Sequence, residues 1–193
     1  MGWAANSRIC EAHQELKGDD VPKTYSEFDP ETEAMVHQVK HDHHRHLYDS
    51  GVTIGGLFVF APRNKDGEPT GNALNHGGYP AYATVRITTL AERKMGLRDA
   101  VLMVDGDIWK ELPDAKRRAV IDHEMAHLVP KLNKFGVHEH DDIGRPKLKM
   151  RLHDFHFGGF HEIAARHGES SVEKSTVETL LNNAVKQGWL PGF

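Results

Sequence analysis

Two histidines and a glutamate in the second half of the chain have the spacing of a metal site. His123, Glu124 and His127 form the pattern H-E-x-x-H inside a segment with helical periodicity. Side chains four residues apart lie on one face of a helix, so both imidazoles can bind the same zinc ion. Glu124 can then act as a general base toward the attacking water and later as an acid toward the leaving amine. The spacing therefore predicts metal-assisted hydrolysis.

A catalytic zinc ion needs a third protein ligand and one open position. The extended pattern H-x-x-G-x-x-H is absent after His127, so this ligand must come from further along the chain. We favour His153, because it opens a predicted helix directly after a predicted hairpin and can be aimed back at the first pair. His156 and Glu162 are the alternatives. Asp154 is a candidate to orient an imidazole, or else to cap the helix.

The elements expected around this motif alternate between helix and strand. Asp29 and Pro30 begin a helix that should run to about Tyr48, and a second helix should carry H-E-x-x-H. A hairpin is expected over residues 134–150 and further helices after it, and we find no internal repeat. Strands are predicted over residues 52–61, 81–88 and 100–104. The pattern predicts an α+β fold in which a mixed sheet of three or four strands packs on helices, with the H-E-x-x-H helix buried beneath the sheet.

Several short runs of sequence, taken together, resemble one family. They are Asp107–Trp109, Arg118–His127, Leu152–Asp154 and Arg166–Gly168. These runs are similar to the putative phage metallopeptidases, small gluzincin-like or SprT-like proteins that are encoded mainly by bacteriophages and prophages. The resemblance spans roughly residues 35–168, with one departure in the aromatic, glycine-rich stretch 155–159.

The resemblance implies a minimal zincin-like fold and a zinc metallopeptidase. His123, His127 and His153 would be the zinc ligands and Glu124 the catalytic residue. The edge strand beside the cleft would hold an extended peptide or protein substrate. Residues 29–168 would form the metallopeptidase domain, between a flexible N-terminal arm (1–28) and a C-terminal helical extension (169–193).

Two other functions are compatible with the same residues. One is a metal-dependent amidase that acts on a non-peptide substrate. The other is a non-catalytic binding module that acts on a host protein, in which His156 would close the fourth zinc position. The histidine-rich segment His37–His46 is a further candidate metal site, although we favour a polar helix face or a structural role for it.

The composition narrows the classes of protein to which the chain can belong. It has 193 residues, 38% of them hydrophobic and 27% charged, and a net charge of −4. No apolar run is long enough to span a membrane, and Cys10, the only cysteine, excludes an internal disulfide. The N-terminus lacks the pattern of a secretory signal, so we expect a cytoplasmic protein, in the host cell if it is phage-encoded. Scattered basic residues make nucleic acid a weaker candidate partner.

Overall fold

The computed structural model describes residues 21–153, 165–170 and 177–178. Contacts divide the chain into two compact units, Met1–Arg151 and Leu152–Phe193. In the second unit, residues 165–167 are helical and Gly168–Ser170 form a 3₁₀ turn. None of the described helices is long and apolar enough to cross a membrane. The elements of the first unit are, in chain order, β1 Thr24–Glu27, α1 Pro30–His43, α2 Arg45–Asp49, β2 Ile54–Phe60, β3 Asn75–His76, β4 Tyr79–Pro80, β5 Ala83–Ile87, α3 Leu90–Lys94, β6 Ala100–Asp105, a 3₁₀ turn Trp109–Glu111, α4 Asp114–Ala126, β7 Leu128–Pro130 and β8 Leu148–Met150.

A four-stranded mixed sheet forms the centre of the first unit. Its strand order is β1-β2-β6-β5, with β2 and β6 parallel and the two outer strands antiparallel to their neighbours. The inner strands are rich in β-branched and large apolar residues, which favour a pleated, half-buried surface. Helices α1 and α4 contribute to the same hydrophobic core as the sheet. The predicted α+β fold with a small mixed sheet is therefore confirmed.

The end of the predicted N-terminal arm is a strand. Residues 1–20 lie outside the described part of the chain, but Thr24–Glu27 pair antiparallel with β2, from Thr24 opposite Phe60 to Glu27 opposite Leu57. This pairing covers an edge of β2 that would otherwise leave its backbone N–H and C=O groups unpaired. The interpretation of residues 24–27 as a flexible arm was wrong for that reason.

The helix predicted from Asp29 to about Tyr48 is broken into α1 and α2. Asp29 caps the first helix as expected, since its carboxylate accepts a hydrogen bond from the Thr32 N–H at 2.8 Å. The break falls at His44, whose backbone is not helical (φ −121°, ψ 54°). The His44 side chain is buried, and its Nε2 lies 2.7 Å from Asp122 Oδ1 on α4. A tertiary contact thus overrides the local helical tendency.

Helix α4 carries the H-E-x-x-H motif and is buried on one face only. Val120, Ile121 and Met125 are buried in the core, whereas His123 is exposed. The prediction that the helix lies buried beneath the sheet holds for this apolar face alone. The helix ends at Ala126, and the chain enters β7 almost immediately afterwards. The motif therefore sits at the end of the helix, on its accessible side.

Close packing in β2 leads to a prediction for two adjacent glycines. A Cβ at Gly56 would overlap the buried Phe28 ring, whereas one at Gly55 would meet only the flexible Arg98 side chain, at 3.2 Å from its Cγ. We expect Gly56→Ala to lower the free energy of unfolding by about 1–3 kcal/mol or more through overpacking. Gly55→Ala is the matched control, and urea unfolding is the measurement. Equal stability of the two variants would contradict the packing at Phe28.

The hairpin predicted over residues 134–150 was wrong in the position of its first strand. The paired strands are Leu128–Pro130 and Leu148–Met150, and two tandem loops lie between them. β7 pairs with β8 over three residues each. In both loops an Asn or Asp side chain accepts hydrogen bonds from the N–H groups two and four residues later. The residue three positions after the Asn or Asp is a glycine with positive φ. The participating residues are Asn133, Phe135, Gly136 and Val137 in the first loop, and Asp141, Ile143, Gly144 and Arg145 in the second.

These two loops repeat at an interval of eight residues, in backbone geometry rather than in sequence. Leu132 bridges to His138 in the first loop, and His140 bridges to Pro146 in the second. Sequence similarity between the two segments is confined mainly to the Asx and glycine positions. The repeat in backbone geometry is therefore not visible in the sequence, where no internal repeat was found.

A buried ionic network fastens the second loop to the end of the sheet. Asp99 is 1% exposed and accepts hydrogen bonds from the Thr53 N–H at 2.7 Å and from Arg145 Nε at 2.8 Å. Arg93, also buried, donates to Asp141 Oδ2 at 2.9 Å. Every buried charge in this group thus has a partner of opposite sign, as burial of charges requires. The network fixes the loop that precedes β8.

Candidate active site

Helix α4 places His123 and His127 one turn apart on the same face. Their ring centroids are 5.2 Å apart, with an angle of 81° between the ring planes. His127 caps the helix but retains helical backbone angles (φ −71°, ψ −18°), so the i, i+4 geometry extends through it. The two imidazoles therefore lie together as the motif predicted.

The imidazole of His127 is oriented by the chain that returns along β8. Its Nδ1 lies 2.7 Å from the carbonyl oxygen of Arg151, and the Arg151 N–H donates to the His127 carbonyl at 2.7 Å. A carbonyl oxygen can only accept, so Nδ1 must carry the proton in this contact. The lone pair of the neutral ring is then on Nε2, which is the arrangement found in many metal-binding histidines.

His153 follows Arg151 by two residues, so the chain itself keeps it near this end of α4. Two residues span at most about 7 Å. His123, His127 and His153 each offer a ring nitrogen, and these ligand atoms all lie within 4.8 Å of one another. Three imidazoles are a donor set that zinc takes in catalytic sites, with a fourth position left for water or substrate. The residues present fit a divalent metal ion of that class.

Glu124 lies between the two histidines in sequence and is held by the neighbouring strand. Its half-buried carboxylate accepts a hydrogen bond from the backbone N–H of Val85 on β5. Burial raises the pKa of the Glu124 carboxyl, because it disfavours the charged form. Electrostatic interaction with the His127 imidazole, the Val85 hydrogen bond and the more weakly interacting His76 oppose that increase. The carboxylate is thus positioned by backbone, with basic groups around it.

Strand β5 runs beside α4 and forms the edge of the four-stranded sheet. The Lys116 ammonium lies 4.9 Å from the ring centre of Tyr82, and Val85 contacts Glu124 further along the same helix. The Tyr82 carbonyl accepts a hydrogen bond from the N–H of Asp105 at the end of β6. Backbone groups an odd number of residues apart along a strand point to opposite sides, so those of Val85 point away from β6. The contact between Val85 and Glu124 agrees with that direction.

A short hairpin of β3 and β4 precedes this edge strand. His76 is on β3, and Gly77 and Gly78 form the turn with positive φ values of 57° and 87°. Two consecutive positive φ values are those of a type I′ turn, which explains the glycine pair without invoking a close approach by substrate. The charge of the His76 imidazole is the smallest of the effects that lower the pKa of Glu124.

The histidine-rich segment His37–His46 serves the fold at two of its positions. His44 bonds Asp122 beside the motif, and His46 Nε2 donates to the Leu128 carbonyl at 3.3 Å. Burial lowers the pKa of His44, with the Asp122 contact acting in the opposite direction. Within the described part of the chain, the one group of three or more His, Cys, Asp or Glu side chains that gathers its ligand atoms is the group formed by the three predicted ligands.

Three predicted candidates cannot be compared with the structure. Asp154, His156 and Glu162 lie outside the described residues. Their predicted roles as an orienting carboxylate and as alternative ligands stay predictions.

A comparison with protein families gives one match. The model of a family described as "Putative phage metallopeptidase" matches residues 24–185 of the chain. The chain belongs to this family. The matched range contains both the H-E-x-x-H motif and His153. The family description implies a metal ion and a hydrolase, and the three histidines could bind such an ion. Searches of curated proteins and of solved structures found no match.

The backbone groups of the site could not be recognised from the sequence. The Val85 N–H and the Arg151 carbonyl contact Glu124 and His127, respectively, through atoms that every residue carries. No side-chain type could have marked them. His76 was also missed, and its position beside the glycine pair Gly77–Gly78, between two predicted strands, was the only signal available.

Proposed function

We propose that this protein is a zinc-dependent metallopeptidase that hydrolyses peptide bonds. The observation that supports this most directly is the meeting of three histidine ring nitrogens within 4.8 Å, next to a half-buried glutamate. Family membership supports the same class of reaction. The predicted cytoplasmic location, in the host if the protein is phage-encoded, remains part of this proposal.

In this proposal the chain's own residues divide the work. A zinc ion held by His123, His127 and His153 would polarise the scissile carbonyl and activate the attacking water. Glu124 takes a proton from that water as the new C–O bond forms, and then donates it to the amine nitrogen as the C–N bond breaks. The Val85 N–H keeps the carboxylate at a fixed position for both transfers.

The substrate is proposed to bind as an extended strand against β5. This strand is at the edge of the sheet, and the backbone N–H of its Val85 bonds to Glu124. A peptide that pairs with such an edge is fixed by main-chain hydrogen bonds, which suits a range of sequences. It would also pass directly by the general base, so binding and chemistry share one strand.

The test of this function joins metal content with cleavage. The purified protein is expected to hold about one zinc per chain, the number that one three-histidine site takes. It should also cleave an unfolded-protein or peptide library, and it should lose both properties when His123 and His127 are replaced by alanine together. His138→Ala is the matched control, because His138 is exposed on the first loop and outside the histidine group. Metal is measured by elemental analysis, and fragments by mass spectrometry.

Three results would contradict the proposal in different ways. Protein prepared without chelator that binds no metal would remove the zinc site. Bound zinc with hydrolysis only of peptidoglycan amides would move the enzyme to a non-peptide substrate. Bound zinc with no hydrolysis of either substrate would favour a binding module.

A further inference from the structure

A basic surface runs along the outer face of the β7–β8 ribbon. Val129 lies opposite Lys149, and alternation along both strands puts Lys131 and Lys147 on the same face. Arg151 continues the series beyond β8, where its N–H still bonds across the ribbon. Lys131, Lys147, Lys149 and Arg151 are all exposed, and we call this set the basic face.

The opposite face of the same ribbon is the one that packs on the protein. Leu128, Pro130 and Leu148 alternate with the basic residues along the strands, and all three are buried. The ribbon therefore cannot rotate to hide its cations without exposing this apolar face. The Glu139 carboxylate oxygen Oε2 lies 3.6 Å from Lys147 Nζ and offsets part of the positive charge of the ribbon.

The basic face differs from the basic residues that the sequence first suggested as a patch. Among those, several form ion pairs with carboxylates of the same unit, which neutralises them. They are Arg63, Arg93, Lys94 and Arg117. What sets the basic face apart is that its four cations lie on one surface, in a chain whose net charge is −4. Like charges on neighbouring cross-strand positions are destabilising, and an anionic partner would relieve that repulsion.

The basic face begins at the candidate active site. Arg151 is joined to His127 by two hydrogen bonds, and Lys149 and Lys147 follow along β8 away from it. Alternate residues of a strand are about 6.6 Å apart along the backbone, so the positions from which the cations of β8 project have that spacing. An extended peptide has the same repeat on each of its faces. Acidic residues at every second position can therefore meet successive cations in register.

We propose that the basic face binds an acidic, extended segment of the polypeptide substrate on one side of the bond to be cleaved. Charge complementarity and the matching repeat favour a peptide as the occupant. The assignment to substrate rests on the peptidase function proposed above, whereas anion binding by the face itself does not.

The experiment measures binding of two labelled peptides of about 12 residues by fluorescence anisotropy. One alternates Glu with Thr, and the other has Gln in place of Glu. The protein is the full chain with Glu124→Gln, which prevents cleavage during the measurement. We expect the Glu peptide to bind at least about tenfold more tightly at low salt, and the difference to shrink as salt is added.

Matched charge reversals locate the binding surface. Lys131→Glu with Lys149→Glu should abolish the preference for the Glu peptide. Lys65→Glu with Lys110→Glu makes the same change in net charge at exposed positions elsewhere and should leave it intact. Melting curves of both variants check that each is folded.

The outcomes separate this proposal from the proposed function. Equal binding of the two peptides by the Glu124→Gln protein, whose basic face is unchanged, would overturn the proposal before any charge reversal is made. Loss of the preference in the Lys65 and Lys110 variant as well would also overturn it. A DNA oligonucleotide of equal charge that binds far more tightly, at the same residues, would show a nucleic-acid partner instead. Selective binding of the Glu peptide without library cleavage would leave the basic face standing and count against peptidase activity alone.

Discussion

Replacing Glu124 with glutamine is expected to lower the rate of peptide cleavage by about 10²–10⁴-fold while zinc stays bound. Glutamine keeps the size of the side chain and still offers an oxygen to the Val85 N–H. It cannot take a proton from water near neutral pH, so only the proton transfers are removed. The three histidines that would hold the metal are untouched. The measurement is initial cleavage rate at saturating peptide, with zinc content determined on the same samples.

A matched control keeps this result specific to the site. Glu111→Gln makes the same chemical change at an exposed position on the 3₁₀ turn before α4 and should leave the rate unchanged. Cleavage that persists in Glu124→Gln at the rate of the original protein would remove Glu124 from the mechanism. Loss of zinc together with activity would instead mean that Glu124 supports the metal site itself.

The parts of the site that could be predicted from sequence are those encoded by local spacing. His123 and His127 are one helical turn apart wherever a helix forms, so their meeting needed only the prediction of α4. His153 required more, because its position depends on the ribbon that returns the chain to His127. It was favoured over its alternatives by its place after that ribbon, although the ribbon was predicted as a hairpin over residues 134–150 and its first strand lies at Leu128–Pro130.

The parts that could not be predicted depend on contacts between distant backbone groups or on burial. The break at His44 follows from its contact with Asp122, which lies far away in sequence. The outer partner of β2 is residues 24–27, a polar tetrapeptide whose exposed side chains carry no apolar pattern. The Val85 N–H that holds Glu124 is a main-chain group and leaves no trace in residue type. In each case the deciding interaction joins segments that local pattern analysis treats separately.

Removing the metal is expected to lower the melting temperature by about 10 °C. A metal that binds only the folded protein stabilises it by mass action, by about 4 kcal/mol when free zinc is a thousandfold above its dissociation constant. For a chain of this size, each kcal/mol shifts the melting temperature by about 2–4 °C. The effect should be large here because, along the chain, His127 precedes the ribbon and His153 follows it. No short segment therefore carries the whole ligand set.

The measurement compares melting curves before and after chelation, with metal removal verified by elemental analysis and zinc then restored. His123→Ala should melt at the temperature of the metal-free protein and gain little from added zinc. His138→Ala should respond to chelation as the original protein does, because its imidazole is outside the histidine group. A melting temperature that stays the same after verified metal loss would contradict this prediction, because a metal bound by the folded chain alone must stabilise it, however its ligands are held together. Such a result would mean that zinc does not prefer the folded chain, and it would count against His123, His127 and His153 as a tight zinc site.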